Sequence, residues 1–564
     1  MGTAAANPRV SRHFVTIDGT RQIHYLRAGS GAPVLILHPS PGPSRYLLSL
    51  IEYLSDHFTV FAPDTPGNGL SDPLPLDAPT MDDYGDNVAR VLDALGIDKI
   101  ALYGFHTGAS VGTAFAIRHP QRVRGAILDG FLVESDASLK DRLSHYLLPF
   151  EPKLDGSHMT WLWTRLRDQR MYGKWYAPSL ASRFDLDAPT PAATHGTVMD
   201  WLDAGAAYIK PYSAAFRQRG HLQVMRLTTP TVICAADSDS LVHHLDALPP
   251  NLPACVAVKR MGGKDNVNAF VLAELRGLAA GSPPPVPAVP PLSDRAYQSY
   301  VTIPGGQLHV RRSDAGTGRP LVILHDAIGD NRVVDGITLG FHGRRPAVAI
   351  DLPGHGNSDN TLGANVSLQS YARTVDAALD ALGLREVDVL GVHAGTAVAT
   401  ELALRSPARV KQLILAETPP LDRAVRAALR ANYAYPIDVE FFGGHLLKAW
   451  FTARDQGHFW PWYERSRAAA VMREPYSAAE VHLRMVAILK AGAMFQRYAE
   501  AAFTPDAAVA LAQVKAPIIF AAAKGSPLAA SMRATSGTVR GAQAVDLPPD
   551  MKNWAAALLP FVGG

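Results

Sequence analysis

Short, continuously apolar runs alternate along this chain with longer segments in which apolar residues recur every three or four positions. In the first half the runs are "PVLILH", "FTVFAPD", "IALYG", "GAILDG" and "PTVICAA". They lack the apolar–polar alternation of a half-solvated strand, so each predicts a strand buried on both faces. Between them, "MDDYGDNVARVLDALG" has the spacing of an amphipathic helix. Buried parallel strands joined by such helices predict an α/β fold, a mostly parallel, doubly wound sheet covered on both sides.

The pattern occurs twice. "GSPPPVPAVPPLSD", residues 281–294, is too proline-rich for a helix or central strand and reads as a semi-rigid spacer between domains at 1–280 and 295–564. Across it "ILHPSPG" matches "ILHDAIG", "APDTPGNGLSD" matches "AIDLPGHGNSD", and "LYGFHTGA" matches "LGVHAGTA". His38 and His325, Asp64 and Asp351, and His106 and His393 all lie 287 positions apart. A constant offset of that size means two copies of one domain, not a short-period solenoid.

Composition narrows the setting. The 564 residues are 47% hydrophobic and 19% charged, with a formal net charge of +3 and no basic block. Large cores are expected, and neither a nucleic acid nor an anionic membrane is an expected partner. The expected partner is a small-molecule substrate. "MGTAAANPRV" has no apolar core for a signal peptide, no later run is long enough for a membrane span, and the only cysteines, Cys234 and Cys255, sit in short apolar runs. These features predict a cytoplasmic enzyme with reduced thiols.

The elbow-like "GFHTG", the strand-end His38 in "LHPSPG", the loop "DTPGNGLSD" and the helix "ASVGTAFAIRHPQRV", with their second-half counterparts, together resemble the α/β-hydrolase superfamily. The resemblance covers nearly the whole chain twice. It implies two tandem α/β-hydrolase domains, with helical caps at about 131–229 and 418–516 between strands six and seven. It also implies a nucleophile at the elbow, an acid after strand seven and a histidine near the end of each domain. The chain departs from that scheme. His106 and His393 stand where a serine is usual; Asp239 in "AADSDSLV" matches the acid, and Lys264 in "RMGGKD" falls about where the histidine belongs. In the second half Ser526 replaces the acid and "LPPDMKN" offers no histidine. A serine acyl-enzyme is therefore not expected in either half.

A sharp strand-to-helix turn needs its glycines, and Gly104, Gly108, Gly391 and Gly395 keep them. The turn would hold His106 and His393 at a helix amino terminus, whose partial positive charge favours a neutral ring. A neutral imidazole can take a proton from water or carbon, or attack a carbonyl itself. The plainer alternative is a polar residue with a satisfied hydrogen bond. His38 and His325 read as structural, and the backbone of Ser40 can border an oxyanion site. A second repeated pattern begins at His158 in "HMTWLWTRLRDQ" and at His445 in "HLLKAWFTARDQ". Trp163 with Arg167, and Trp450 with Arg454, share a helix face. His158 and His445 can reach toward the elbow as further catalytic groups while these arginines and tryptophans orient a substrate; alternatively the arginines ion-pair and the tryptophans pack within the cap. No short ligand spacing marks a metal site and no glycine-rich fingerprint marks a dinucleotide, so no cofactor is expected.

The resulting expectation is an α/β-hydrolase-fold enzyme that acts on a small ester, lactone or carbon–carbon bond through histidine. A cofactor-free lyase, decarboxylase or isomerase is one alternative, and a non-catalytic binding protein another. Asp239 and Lys264 make the first half the expected catalytic centre.

Overall fold

In the computed structural model, residues 9–262, 266–504 and 506–562 are described. The chain divides into two compact units. One comprises Arg9–Glu151 and Trp161–Pro290; the other comprises Pro291 onward together with the short stretch Pro152–Thr160.

The first unit carries strands β1 (Val10–Ile17), β2 (Arg21–Ala28), β3 (Pro33–Leu37), β4 (Thr59–Pro63), β5 (Ile100–Phe105), β6 (Val123–Asp129), β7 (Thr231–Ala236) and β8 (Val256–Met261). They form one sheet in the order β1-β2-β4-β3-β5-β6-β7-β8. From β4 through β8 all pairs are parallel, while β2 runs antiparallel to both its neighbours. The central strands are buried along their whole length because side chains of alternate residues enter different cores. Leu35, Leu37 and Leu102 pack with Val88, Leu92 and Phe115 on one face. Val34, Ile36 and Tyr103 pack with Ile51, Leu54 and Val271 on the other. The helix Met81–Leu95 starts on a capping box between Thr80 and Asp83 and stops at Gly96, whose φ of 72° closes it. Unlike the five apolar runs, β1 and β2 form a hairpin of mixed polarity, and edge strand β8 carries exposed Lys259 and Arg260, which discourage further pairing.

The second unit repeats this plan with β9 (Tyr297–Ile303), β10 (Gly306–Ser313), β11 (Leu321–Leu324), β12 (Ala347–Ile350), β13 (Val387–Val392), β14 (Val410–Ala416), β15 (Ile518–Ala523) and β16 (Gln543–Leu547). Its order, read from β9, is β9-β10-β12-β11-β13-β14-β15-β16. Helical segments fill the chain between β6 and β7 and between β14 and β15, and residues 282–292 carry no regular element. No helix among the described residues is long and apolar enough to cross a membrane.

The site is positioned by one backbone feature of each sheet. After β5 the chain turns into the helix Thr107–Arg118 through His106, at φ 51° and ψ −110°. After β13 it turns into the helix Gly395–Arg405, with His393 at φ 48°. Non-glycine residues rarely hold such angles, and here the surrounding packing imposes them. Gly108 makes the first turn possible because its bare Cα lies against the carbonyl oxygen of Leu37; Gly395 meets Leu324 in the same way. A methyl group at position 108 would overlap that oxygen. Gly108→Ala should therefore destabilise the first unit by about 1–3 kcal/mol. Urea unfolding checks this, and an unchanged midpoint contradicts the close-approach account.

Candidate functional site

The turn projects the His106 ring from the end of β5 towards the loop after β7. There Nε2 lies 2.9 Å from Oδ2 and 3.1 Å from Oδ1 of Asp239. A carboxylate only accepts, so Nε2 donates, and in the neutral ring this tautomer leaves the lone pair on Nδ1. Nδ1 makes no hydrogen bond among the described residues, and the side chain is 29% exposed. Burial opposes the charge on Asp239, but the hydrogen bond and charge of His106 and the amide of Leu241 outweigh it. The carboxyl is held below its ordinary value. The pair is thus an oriented base with a fixed tautomer.

Two further residues shape the surroundings of the ring. Gly130, at φ 64°, clears a place for it, since a Cβ there would overlap the imidazole. Asp129, the last residue of β6, is buried and accepts from Tyr103 Oη at 2.8 Å. Burial, against that hydrogen bond and with help from the charge of Asp239, pushes the Asp129 carboxyl up to about 6.

The loop after β3 is braced from below. His38 donates from Nδ1 to the carbonyl of Pro39 at 3.0 Å and accepts the Thr65 amide on Nε2 at 2.7 Å. Asp64 is fully enclosed and bonded to His24, Ser44 and the Leu70 amide. Although burial opposes it, His24 heads the contacts that hold this carboxyl well below the usual range. Ser40 stands above the brace, with its hydroxyl 3.4 Å from Asn68 Nδ2. The amide of Thr107, the residue after His106, has no acceptor among the described residues and remains available to a developing oxyanion.

The second elbow has the same backbone and different chemistry. Among the described residues His393 has no carboxylate partner and its buried Nδ1 no hydrogen bond, and its ring lies parallel to Trp460 at 6.4 Å. Ser526, at the acid position, donates to Glu417 at 2.5 Å, and Glu417 also accepts the Ala523 amide at 2.8 Å. Glu417 stands where the first half has Gly130. The elbow amide of Ala394 is already occupied: it donates to Asp326 Oδ1 at 3.1 Å. Oδ2 of Asp326 accepts from Tyr433 Oη at 3.0 Å and from Gln456 Nε2 at 2.8 Å.

The cap residues fall in several places. His158 lies in the stretch that clusters with the second unit, where its Nδ1 accepts the Lys153 amide at 3.2 Å and its ring meets Trp450 edge-on at 4.5 Å. His445 repeats the local bond, accepting the Glu440 amide at 3.2 Å. Trp163 and Trp450 are buried. Arg167 is exposed on the helix Ser157–Gln169, and Arg454 is near Asp455 and the face of Phe451. Lys264 lies outside the described residues. The structure thus brings together His106 and Asp239, and assigns none of the cap histidines, tryptophans or arginines a hydrogen bond to that pair. Asp129, Tyr103, Asp326 and Tyr433 carry no sequence motif that marks them as polar site residues. A signal existed for Gln456, because it ends the repeated "RDQ" at the same offset from Gln169. Among the described residues, no cluster of three or more histidine, cysteine or acidic side chains is disposed to hold a metal ion.

A family described as having the alpha/beta hydrolase fold matches residues 32–253 and 320–444. The chain is 32% identical over 121 residues to the cis-3-alkyl-4-alkyloxetan-2-one decarboxylase of Shewanella oneidensis, which covers 21% of this chain and 37% of that protein. It is 33% identical over 121 residues to haloalkane dehalogenase 2 of Mycobacterium tuberculosis, covering 22% of this chain and 42% of that protein. The chain therefore spans about two fifths of the length of these relatives. The crystal structure of the enol-lactonase from Burkholderia xenovorans LB400 is similar at 20% identity and a TM-score of 0.33, over 44% of this chain and 90% of that one.

The raised Asp129 carboxyl has a consequence for stability. A carboxyl that binds its proton more tightly when folded than when unfolded stabilises the fold at low pH. That contribution is complete below about 4 and is lost as pH rises through about 6. Asp129→Asn keeps an acceptor for Tyr103 and removes the titration. The fall in unfolding free energy between these pH values should shrink by on the order of 3 kcal/mol relative to wild type. Urea titrations across the range check it, and superimposable profiles contradict the shift.

Proposed function

Because the chain belongs to the alpha/beta hydrolase fold family, we propose that its first half hydrolyses small esters or lactones with a histidine–aspartate pair in place of a serine nucleophile. The observation that carries this reading is the contact of His106 Nε2 with Asp239 at 2.9 Å, which leaves Nδ1 unbonded at the elbow. Nδ1 takes a proton from water as the water oxygen attacks the substrate carbonyl. The Thr107 amide donates to the oxyanion, and the protonated ring returns its proton to the leaving alkoxide, giving an acid and an alcohol. Asp239 stabilises the transient imidazolium and fixes the tautomer. Asp129, carrying its proton up to about pH 6, limits the negative charge crowded beside Asp239. The two cysteines stand free, which supports a cytoplasmic setting.

The second half is a supporting domain in this reading. Among the described residues His393 has no orienting carboxylate, and its elbow amide is engaged by Asp326. Turnover of a panel of aliphatic and aromatic esters and lactones tests the assignment. His106→Gln should lower kcat/KM by about 10²-fold or more, in the range of a lost general base. Asp239→Asn should follow it, and His393→Gln should stay within about threefold of wild type. Wild-type turnover in His106→Gln, or a stoichiometric phosphonate adduct on Ser40 or on Ser110 in the first turn of the helix Thr107–Arg118, would overturn the reading.

A further inference from the structure

In the second half, the Asp326 side chain is in effect a bound carboxylate ligand. One oxygen accepts the elbow amide of Ala394 at 3.1 Å, and the other accepts Tyr433 Oη at 3.0 Å and Gln456 Nε2 at 2.8 Å. Three neutral donors on a buried two-oxygen anion make a receptor, because hydrogen bonds to an ionised acceptor are the strong ones. Moved back by the repeat distance of 287 positions, Ala394, Tyr433 and Gln456 become Thr107, Tyr146 and Gln169. The donor types persist in the first half. The anion does not, since Asp326 becomes Pro39.

The first-half donors are left without such an acceptor among the described residues. The Thr107 amide has none. Gln169 makes no hydrogen bond there, and its Oε1 is buried. Tyr146 Oη reaches only Tyr212 Oη, at 3.3 Å. Their setting is also repeated: Tyr146 meets Phe216 edge-on at 5.6 Å, as Tyr433 meets Phe503 at 4.9 Å. Trp460, whose indole lies over His393, is replaced by Gly173 in the first half.

We propose that Thr107 N, Tyr146 Oη and Gln169 Nε2 form a receptor in the first half for a small organic carboxylate, which takes the place that the Asp326 side chain takes in the second. Under the hydrolytic reading, on which the identity of this ligand as product rests, the carboxylate is the acid released. One oxygen is the former carbonyl oxygen on the elbow amide. The other entered as water, so Tyr146 and Gln169 hold the attacking water beside His106 Nδ1. The receptor itself does not require His106.

The test is isothermal titration of the full chain with sodium acetate, butyrate, hexanoate and benzoate, alongside the corresponding neutral amides. Wild type should bind at least one of the carboxylates at a single site, at least tenfold tighter than its amide. Tyr146→Phe and Gln169→Leu should each weaken binding about tenfold. Pro39→Asp, which copies the second half's own sequence, should abolish binding by supplying the anion from within, whereas the neutral Pro39→Asn should still bind. Thermal unfolding shows which variants remain folded, and if Pro39→Asp does not, the Tyr146 and Gln169 variants decide. Titration reads binding without turnover, so loss of the hydrolytic reading alone leaves these results intact. No carboxylate binding by wild type, or binding undiminished in the folded Tyr146→Phe and Gln169→Leu variants, overturns the proposal.

Discussion

Each half of the molecule depends on a backbone that passes from a buried strand into a helix at a positive φ, with glycine packed against a neighbouring strand end. The angles at His106 and His393, 51° and 48°, are costly for a side-chain-bearing residue. They persist because Gly108 and Gly395 let the helix start approach Leu37 and Leu324 more closely than any Cβ allows. Two consequences follow from that one constraint. The residue at the turn is presented regardless of its identity, and the next amide is left at a helix start without an intrahelical partner.

Since the turn is common to both halves, what each elbow can do is set by its neighbours. Asp239 orients His106, while the equivalent Ser526 is bonded to Glu417. Gly130 leaves space for the ring, and at the same register Glu417 bonds to Ala523 and Ser526. Pro39 leaves the Thr107 amide open, whereas Asp326 engages the amide of Ala394. These exchanges leave the first elbow with an oriented imidazole and an unoccupied donor, and the second with a completed buried network. A buried polar network of that kind is favourable only when its members are satisfied, and Asp326 is bonded through both oxygens.

The enclosed carboxylates beneath the loops act on a different level. Asp64 in the first half and Asp351 in the second each gather a histidine and loop amides, and both are held below the ordinary carboxylate range although burial opposes it. His38 and His325 complete the brace by accepting the amides of Thr65 and Leu352. Histidine at these positions thus has internal work, in contrast to His106, whose Nδ1 is unengaged among the described residues.

By itself, the sequence determined the α/β class, the duplication and the elbow register. Those properties are written in local patterns: fully apolar strand runs, helical periodicity, glycines two residues either side of a histidine, and a fixed offset between copies. It did not reveal β1 and β2 as readily, because their mixed polarity reflects a sheet margin and not a buried centre. The tertiary structure alone decided which polar groups meet. His106 and Asp239 are 133 residues apart, and the sheet order brings β5 and β7 to opposite sides of β6 so that the two side chains can touch. The Asp326 network likewise joins groups separated by 107 and 130 residues. Sequence periodicity reports the face a residue occupies; hydrogen bonding depends on positions within a few ångströms, which are set only when the strands pair and the cap helices pack.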